Sequence, residues 1–264
     1  MSEAIYGLAF LVLFSLSALG GVALRGRLHE QHLSSENMDA VRLVTGLLVT
    51  FAALILSLQL STVRADFNAA SRDRAIYAAR LANLDQCLRR LGPEIAPTRL
   101  RLRQYTAAVI ASTWPAEPPP FVEGMPDVKQ MALLGEDSHL TEMIQEIGTA
   151  IDTLAPADTG ASNTVARCRA DYQAVKEGRW AVIEDIHTPS GDLFVFLISL
   201  WLALVFLSFG LQIPRRRLTT IVLLIGVLSI SSVMFVIVDL GRPYGGFFGI
   251  PSTAMRDALT DMSP

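Results

Sequence analysis

Two cysteines, four histidines and a handful of charges at the ends of apolar runs are the side chains of this sequence with chemistry to offer. Cys87 and Cys168 are the only thiols, and each lies on or beside an apolar seam. In an exported compartment such a pair forms a disulfide, and closing a loop of about 80 residues would contribute roughly 4 kcal/mol in the chain-entropy model. The other reading is two buried thiols acting as small hydrophobes, because a bridge needs Cα atoms within about 7 Å and spacing along the chain does not set that distance. His29 and His32 fall in a short basic segment, while His139 and His187 stand alone. A metal site needs converging ligands, so these read as ordinary solvated or interfacial histidines, with no metal or cofactor expected. HExxH, Walker A, GxSxG and CxxC arrangements are absent, which leaves the usual metal, phosphate and acyl-transfer chemistries without apparatus and makes an enzyme unexpected. A net charge of -3 and the lack of a long basic block argue against nucleic acid as a partner.

Two constellations remain. Gly46, Thr50, Ala53, Ser57 and Ser61 make a stripe of small and hydroxyl-bearing residues on one helical face of an apolar run. Small residues at this spacing allow close helix packing, and the same residues facing an oligomer axis would offer ions or water a path that a leucine wall denies. Arg64, Asp239 and Arg242 close two apolar runs. A carboxylate at the edge of hydrocarbon seeks a cation, and Arg64 or Arg242 can satisfy Asp239 as a boundary charge pair, although most boundary charges simply snorkel to water and anchor a helix end.

The elements that must position these groups are membrane helices. The chain is 51% hydrophobic and 18% charged, with a mean hydropathy of +0.40. The apolar excess is concentrated in Ile5 to Leu24, Leu43 to Val63, Leu193 to Pro214 and Leu218 to Val238, each about 20 residues and so long enough to cross about 30 Å of hydrocarbon. The first is a retained helix rather than a cleaved signal, because only Ser2 and Glu3 precede it while Arg25 and Arg27 follow. With four spans, the loop Arg25 to Arg42 and the turn Pro214-Arg215-Arg216-Arg217 share one side. Both are short and basic, which places them in the cytoplasm and the bulk domain and both termini outside the cell membrane. The triple arginine also suits a lipid-headgroup anchor.

Between the second and third spans the seams are helical. Tyr77, Leu81, Leu84, Leu88 and Leu91 alternate steps of four and three, with no breaker separating them from the second span. One helix is therefore expected from about Leu43 to Leu91, ending at Gly92-Pro93. A second is expected from about Thr98 to Thr113, stopping at Trp114-Pro115 before the extended Pro118-Pro119-Pro120. A third carries Leu140, Ile144, Ile147, Ile151 and Leu154, and a fourth carries Val165, Cys168, Tyr172 and Val175 before a kink at Thr188-Pro189-Ser190-Gly191. A four-helix bundle is the economical arrangement. The fold class is all-α: four transmembrane helices with an extramembrane helical bundle inserted between the second and third, divided as 1–63, 64–192, 193–242 and a tail at 243–264.

Several short motifs together carry a resemblance. They are Gly26-Arg27-Leu28, His32-Leu33, Asp39-Ala40-Val41-Arg42, Leu84-Asp85, Leu91-Gly92-Pro93-Glu94, Trp114-Pro115, Phe209-Gly210-Leu211 with Pro214-Arg215, and Asp239-Leu240-Gly241-Arg242-Pro243-Tyr244-Gly245-Gly246. In this combination, over nearly the whole chain, the sequence resembles an uncharacterised bestrophin-like membrane family, departing from its pattern where Tyr244 replaces a phenylalanine. Bestrophins are pentameric anion channels, so the resemblance implies a homo-oligomer in the lipid bilayer that conducts ions. The other expectation is a membrane-anchored sensor, ligand-binding or scaffold protein. Its cytoplasmic loops are too short to fold, so a partner would carry its output.

Overall fold

The computed structural model describes residues 2–28, 34–128, 131, 137–155, 158–187, 192–213 and 217–263. Every regular element among them is helical: α1 (Ser2–Arg27), α2 (Ser35–Arg89), α3 (Ala96–Thr113), α4 (Ser138–Asp152), α5 (Thr159–His187), α6 (Asp192–Gln212), α7 (Arg217–Leu240) and α8 (Thr253–Asp261). His29, His32, the kink at residues 188–191 and the turn residues 214–216 lie outside the described residues. The chain forms two compact units, one of residues 1–67 and 189–249, the other of residues 68–188 and 250–264.

The first unit holds the four spans, on α1, α2, α6 and α7. Its core is a narrow apolar seam in which Phe10 and Phe14 of α1 meet Ala52 and Leu56 of α2, Leu202 and Phe206 of α6, and Met234 of α7. The rings of Phe14 and Phe206 stack with centroids 5.2 Å apart. Most other apolar side chains of the spans point outward, Leu8, Leu16, Leu19 and Leu54 each at 60% exposure or more. A soluble protein does not tolerate apolar exposure on that scale, whereas acyl chains cover it.

Gly21 and Gly210 set the α1–α6 crossing. A Cβ on Gly21 would meet the backbone of Leu207 and Gly210, and a Cβ on Gly210 would meet the Ala18 carbonyl and Val22 nitrogen. Backbones come this close only where both helices lack a side chain. Beyond the crossing, Arg25 Nη1 donates to the Leu211 and Gln212 carbonyls at 3.1 and 2.8 Å, satisfying the C-terminal end of α6.

The second unit contains the last part of α2 with α3, α4, α5 and α8 around Leu81, Leu84, Leu88, Leu102, Ile147 and Met255, all essentially inaccessible. The expected continuity of α2 is present, although it starts at Ser35 rather than Leu43, and its 55 residues extend about 80 Å at about 1.5 Å per residue. Gly92, at φ +91°, ends it, and a 3₁₀ turn at Pro93–Ile95 leads into α3. α4 begins two residues before the expected seam, because the Asp137 carboxylate accepts from the His139 and Leu140 amides at 2.8 and 3.2 Å. Gly148 on α4 leaves room for the ring of Tyr172 on α5, whose hydroxyl donates to the Ile144 carbonyl at 3.0 Å.

The tail differs from expectation. Residues 250–264 are not a separate segment: Met255, Ala258, Leu259 and Met262 are buried in the helical unit, so that five helices rather than four build it. Trp114 Nε1 donates to the Ile250 carbonyl at 2.7 Å, and Glu117 binds both the Ser252 hydroxyl and Arg256, holding the start of α8 against the Trp114-Pro115 corner. At its other end, Arg89 donates to the Asp261 and Ser263 carbonyls while also meeting Asp85 at 3.1 Å. Asp85 is buried and takes two further bonds from Arg99, at 2.8 and 3.1 Å, so a carboxylate in the core is met by two guanidinium groups.

Candidate functional site

The membrane part of α2 has three faces. At about 100° per residue, Thr45, Ala52, Leu56 and Val63 share one meridian, and these are the residues buried within the first unit. Phe51, Leu54 and Leu58 share another and are more than half exposed. Between them, roughly 120° from the buried meridian, lie Gly46, Thr50, Ala53, Ser57 and Ser61, all exposed. A Cβ added to Gly46 would have nothing within 4 Å. Among the described residues no other helix therefore meets the stripe at that point, and the helix packing of the first unit uses a different face. Thr50 Oγ1 donates to the Gly46 carbonyl at 2.9 Å, a bond within the helix that occupies its proton and leaves both lone pairs of the oxygen to accept. Thr45, on the buried face, accepts from Gln212 Nε2 of α6 at 2.8 Å.

Arg64 and Asp239 are not brought together. Arg64 is exposed and continues the meridian of the small-residue stripe, one turn beyond Ser61. Asp239 is 2% exposed in the last turn of α7, and its two carboxylate oxygens accept from the Phe247 and Phe248 amides, each at 2.8 Å. The chain turns back at Gly246, φ +87°, where a Cβ would lie 2.6 Å from Asp239 Oδ1. Arg242 instead lies over the Tyr6 ring of α1, 4.7 Å from its centroid, and donates to its hydroxyl at 3.1 Å. Among the described residues no ion pair joins Asp239 to Arg64 or Arg242, which corrects the expectation of a boundary charge pair. The physical reason is local: two preorganised backbone N–H groups satisfy a carboxylate without the entropy of a long side chain. The Gly245-Gly246 pair within a glycine-rich run after an aspartate was the available signal for such a turn.

In the helical unit Cys87 of α2 and Cys168 of α5 are joined by a disulfide, with Cα atoms 5.5 Å apart. Buried polar groups also lie on α2, α3 and α5. The hydroxyls of Tyr77 and Tyr105 lie 2.6 Å apart in the core, and burial raises both phenols above their ordinary range. Arg179, 7% exposed, donates to Thr141 Oγ1 at 2.8 Å, and Arg74 lies over the Trp114 ring at 4.9 Å. Toward the end of α5, burial pushes the Asp185 carboxyl up to about 6, with the charge of Asp73 acting in the same direction and Arg74 opposing it. Tyr77 belongs to the four-three seam of α2, whereas the buried Arg74 and Arg179 have no apolar spacing to mark them, so only packing reveals them. No cluster of three or more potential metal ligands occurs among the described residues.

Four apolar spans joined to a polar, disulfide-linked helical unit define a multi-pass membrane protein of all-α fold. The chain belongs to the Bestrophin-like family, whose domain matches residues 12–255. The fold is similar to crystal structures of a bacterial bestrophin homologue from Klebsiella pneumoniae. A tryptophan-to-alanine variant of that homologue has a TM-score of 0.72 and 14% identity, with 99% of this chain and 97% of that chain covered. A tryptophan-to-phenylalanine variant gives 0.66 and 15% identity over 99% of both chains. A structure described as a membrane protein with a proline-to-alanine change gives 0.67 and 13% identity, covering 99% and 97%. No curated protein matches the sequence.

Proposed function

We propose that this protein is one subunit of a homo-oligomeric ion channel in which the Gly46, Thr50, Ala53, Ser57 and Ser61 face of α2 lines the conduction path. The observation that carries the reading is the exposure of that face: small and hydroxyl side chains inside a membrane span, left uncovered by the described helices of the chain. Membership of the Bestrophin-like family supports it, since bestrophins are oligomeric channels. A rotational assembly would bring one α2 from each subunit to the axis, where hydroxyls and exposed backbone can stand in for part of an ion's hydration. Arg64, exposed at the end of the same meridian, would then form a ring of positive charge favouring anions.

The helical unit and both termini lie outside the cytoplasm in this proposal. The arginines of the two short loops on the opposite side, Arg25, Arg27, Arg42 and Arg215 to Arg217, support that orientation, as does the Cys87–Cys168 disulfide, which persists in an oxidising compartment. The test is anion flux from liposomes containing purified protein. Thr50→Leu and Ser57→Leu should reduce flux several-fold at unchanged oligomer size, and Arg64→Glu should shift the reversal potential toward cation preference. Oligomers that fall apart on the leucine substitutions, from a parent that never conducts, would mean that the stripe serves packing between subunits. A sensor or scaffold acting through a partner is the second reading, favoured by one specific feature: α2 is a single unbroken helix shared by the membrane and helical units.

A further inference from the structure

Phe247 is 81% exposed and Phe248 47%, with their rings packed edge to face at 5.2 Å between centroids. Two large apolar side chains held outward on a glycine-rich turn are costly in water, at about 25 cal/mol per Å² of apolar surface. Their presentation is built rather than incidental: the buried Asp239 carboxylate takes both of their amide protons, and Gly246 has the left-handed conformation that lets the chain fold back onto that carboxylate. The turn hangs directly from the last turn of a membrane span, which sets its depth within a few residues of the hydrocarbon edge. The same end of the bundle carries a second aromatic and a cation. Tyr6, at the start of α1, is 40% exposed beneath the Arg242 guanidinium. Aromatic rings beside a guanidinium at a span boundary match the chemistry of the interfacial zone, where acyl chains give way to glycerol esters and phosphates.

We infer that the Asp239-clamped turn is a lipid-docking element that inserts Phe247 and Phe248 into the bilayer interface, with Arg242 at phosphate level. The occupant is the phospholipid bilayer itself, because the turn is continuous with a surface of α1 and α7 that hydrocarbon already covers. A second copy of the chain is the competing occupant, and water the third.

A nitroxide on Phe247→Cys distinguishes the three, since the two native cysteines are bonded to each other and leave the new thiol as the only one to label. The full chain is reconstituted in phosphatidylcholine vesicles containing phosphatidylglycerol, and collision of the label with oxygen is compared with that of a water-soluble nickel chelate. Oxygen should exceed the chelate several-fold at position 247, while a control label on Ser138→Cys, an exposed position in the helical unit, should show the reverse. Phe248→Cys serves as a second reporter if the first variant fails to fold. Chelate access equal to that at Ser138 would mean that the turn stands in water. Low access to both reagents would mean that protein covers it, and either result overturns the inference.

Discussion

Asp239 illustrates how a single carboxylate at a membrane edge is satisfied. Hydrogen bonds to a charged acceptor contribute about 1.5–3 kcal/mol each when buried, and Asp239 makes two to the backbone while 2% exposed. Asp239→Ala should therefore destabilise the membrane unit by about 2–4 kcal/mol, read as a lower midpoint of denaturation in detergent, whereas Arg64→Ala should leave that midpoint within about 0.5 kcal/mol. Equal effects of the two substitutions would restore an Asp239–arginine pair. Asp185 carries a different signature. One of its carboxylate oxygens is buried without a hydrogen-bond partner among the described residues, and the group is raised from 3.8 to about 6. A group whose folded pKa exceeds its unfolded pKa binds protons on folding, so its contribution is fully present below about pH 4 and is lost as pH rises through about 6. Across that window the melting temperature of the parent should fall relative to Asp185→Asn, and parallel profiles for the two proteins would remove Asp185 as the cause.

At the level of elements, the backbones of α1 and α6 meet directly where they cross at Gly21 and Gly210. Any side chain there meets backbone, which cannot rotate away as a side chain can. Gly210→Val should separate the two helices and also withdraw the α6 carbonyls from Arg25. The expected outcome is loss of monodisperse protein in detergent, while Gly46→Val, on a face with open space, leaves the subunit folded. If both variants purify alike, the crossing is looser than its geometry indicates. The helices of the other unit are held differently, by amphipathic seams closed with polar clamps such as Glu117 with Ser252 and Arg256. Burial of Met255 and Leu259 on α8 and of Met262 just beyond it follows a four-three spacing that is present in the sequence. A helix of nine residues is too short to stand out from a tail by periodicity alone.

At the scale of the whole molecule, single cysteines report the orientation across the bilayer. With Cys87 and Cys168 replaced by serine, a single cysteine at Ser34 or at Ser138 reports one side each. An impermeant thiol reagent added to intact cells should label Ser138→Cys and spare Ser34→Cys. The reverse pattern would put the helical unit in the cytoplasm and remove the oxidising compartment that its disulfide requires. In the intact protein the bridge spans 81 residues, and opening it should lower stability by about 4 kcal/mol in the chain-entropy model.

The sequence by itself determined the class of this protein, because hydrophobic length and helical periodicity are properties of neighbouring residues. Four charge-free runs near the bilayer thickness, and four-three seams such as Tyr77, Leu81, Leu84 and Leu88, require no knowledge of what lies across from them. The continuity of α2 was legible for the same reason: no glycine or proline interrupts the chain between Gly46 and Gly92. The cysteine pairing, by contrast, stayed open in the sequence, since 81 residues of separation say nothing about a Cα distance of 5.5 Å. Tertiary structure also decided which face of α2 its own chain covers and which partner Asp239 takes. Both depend on where separate helices come to rest. A small-residue stripe reads identically whether a neighbouring helix or open space lies opposite, and a carboxylate reads identically whether an arginine or a turn's amides reach it first.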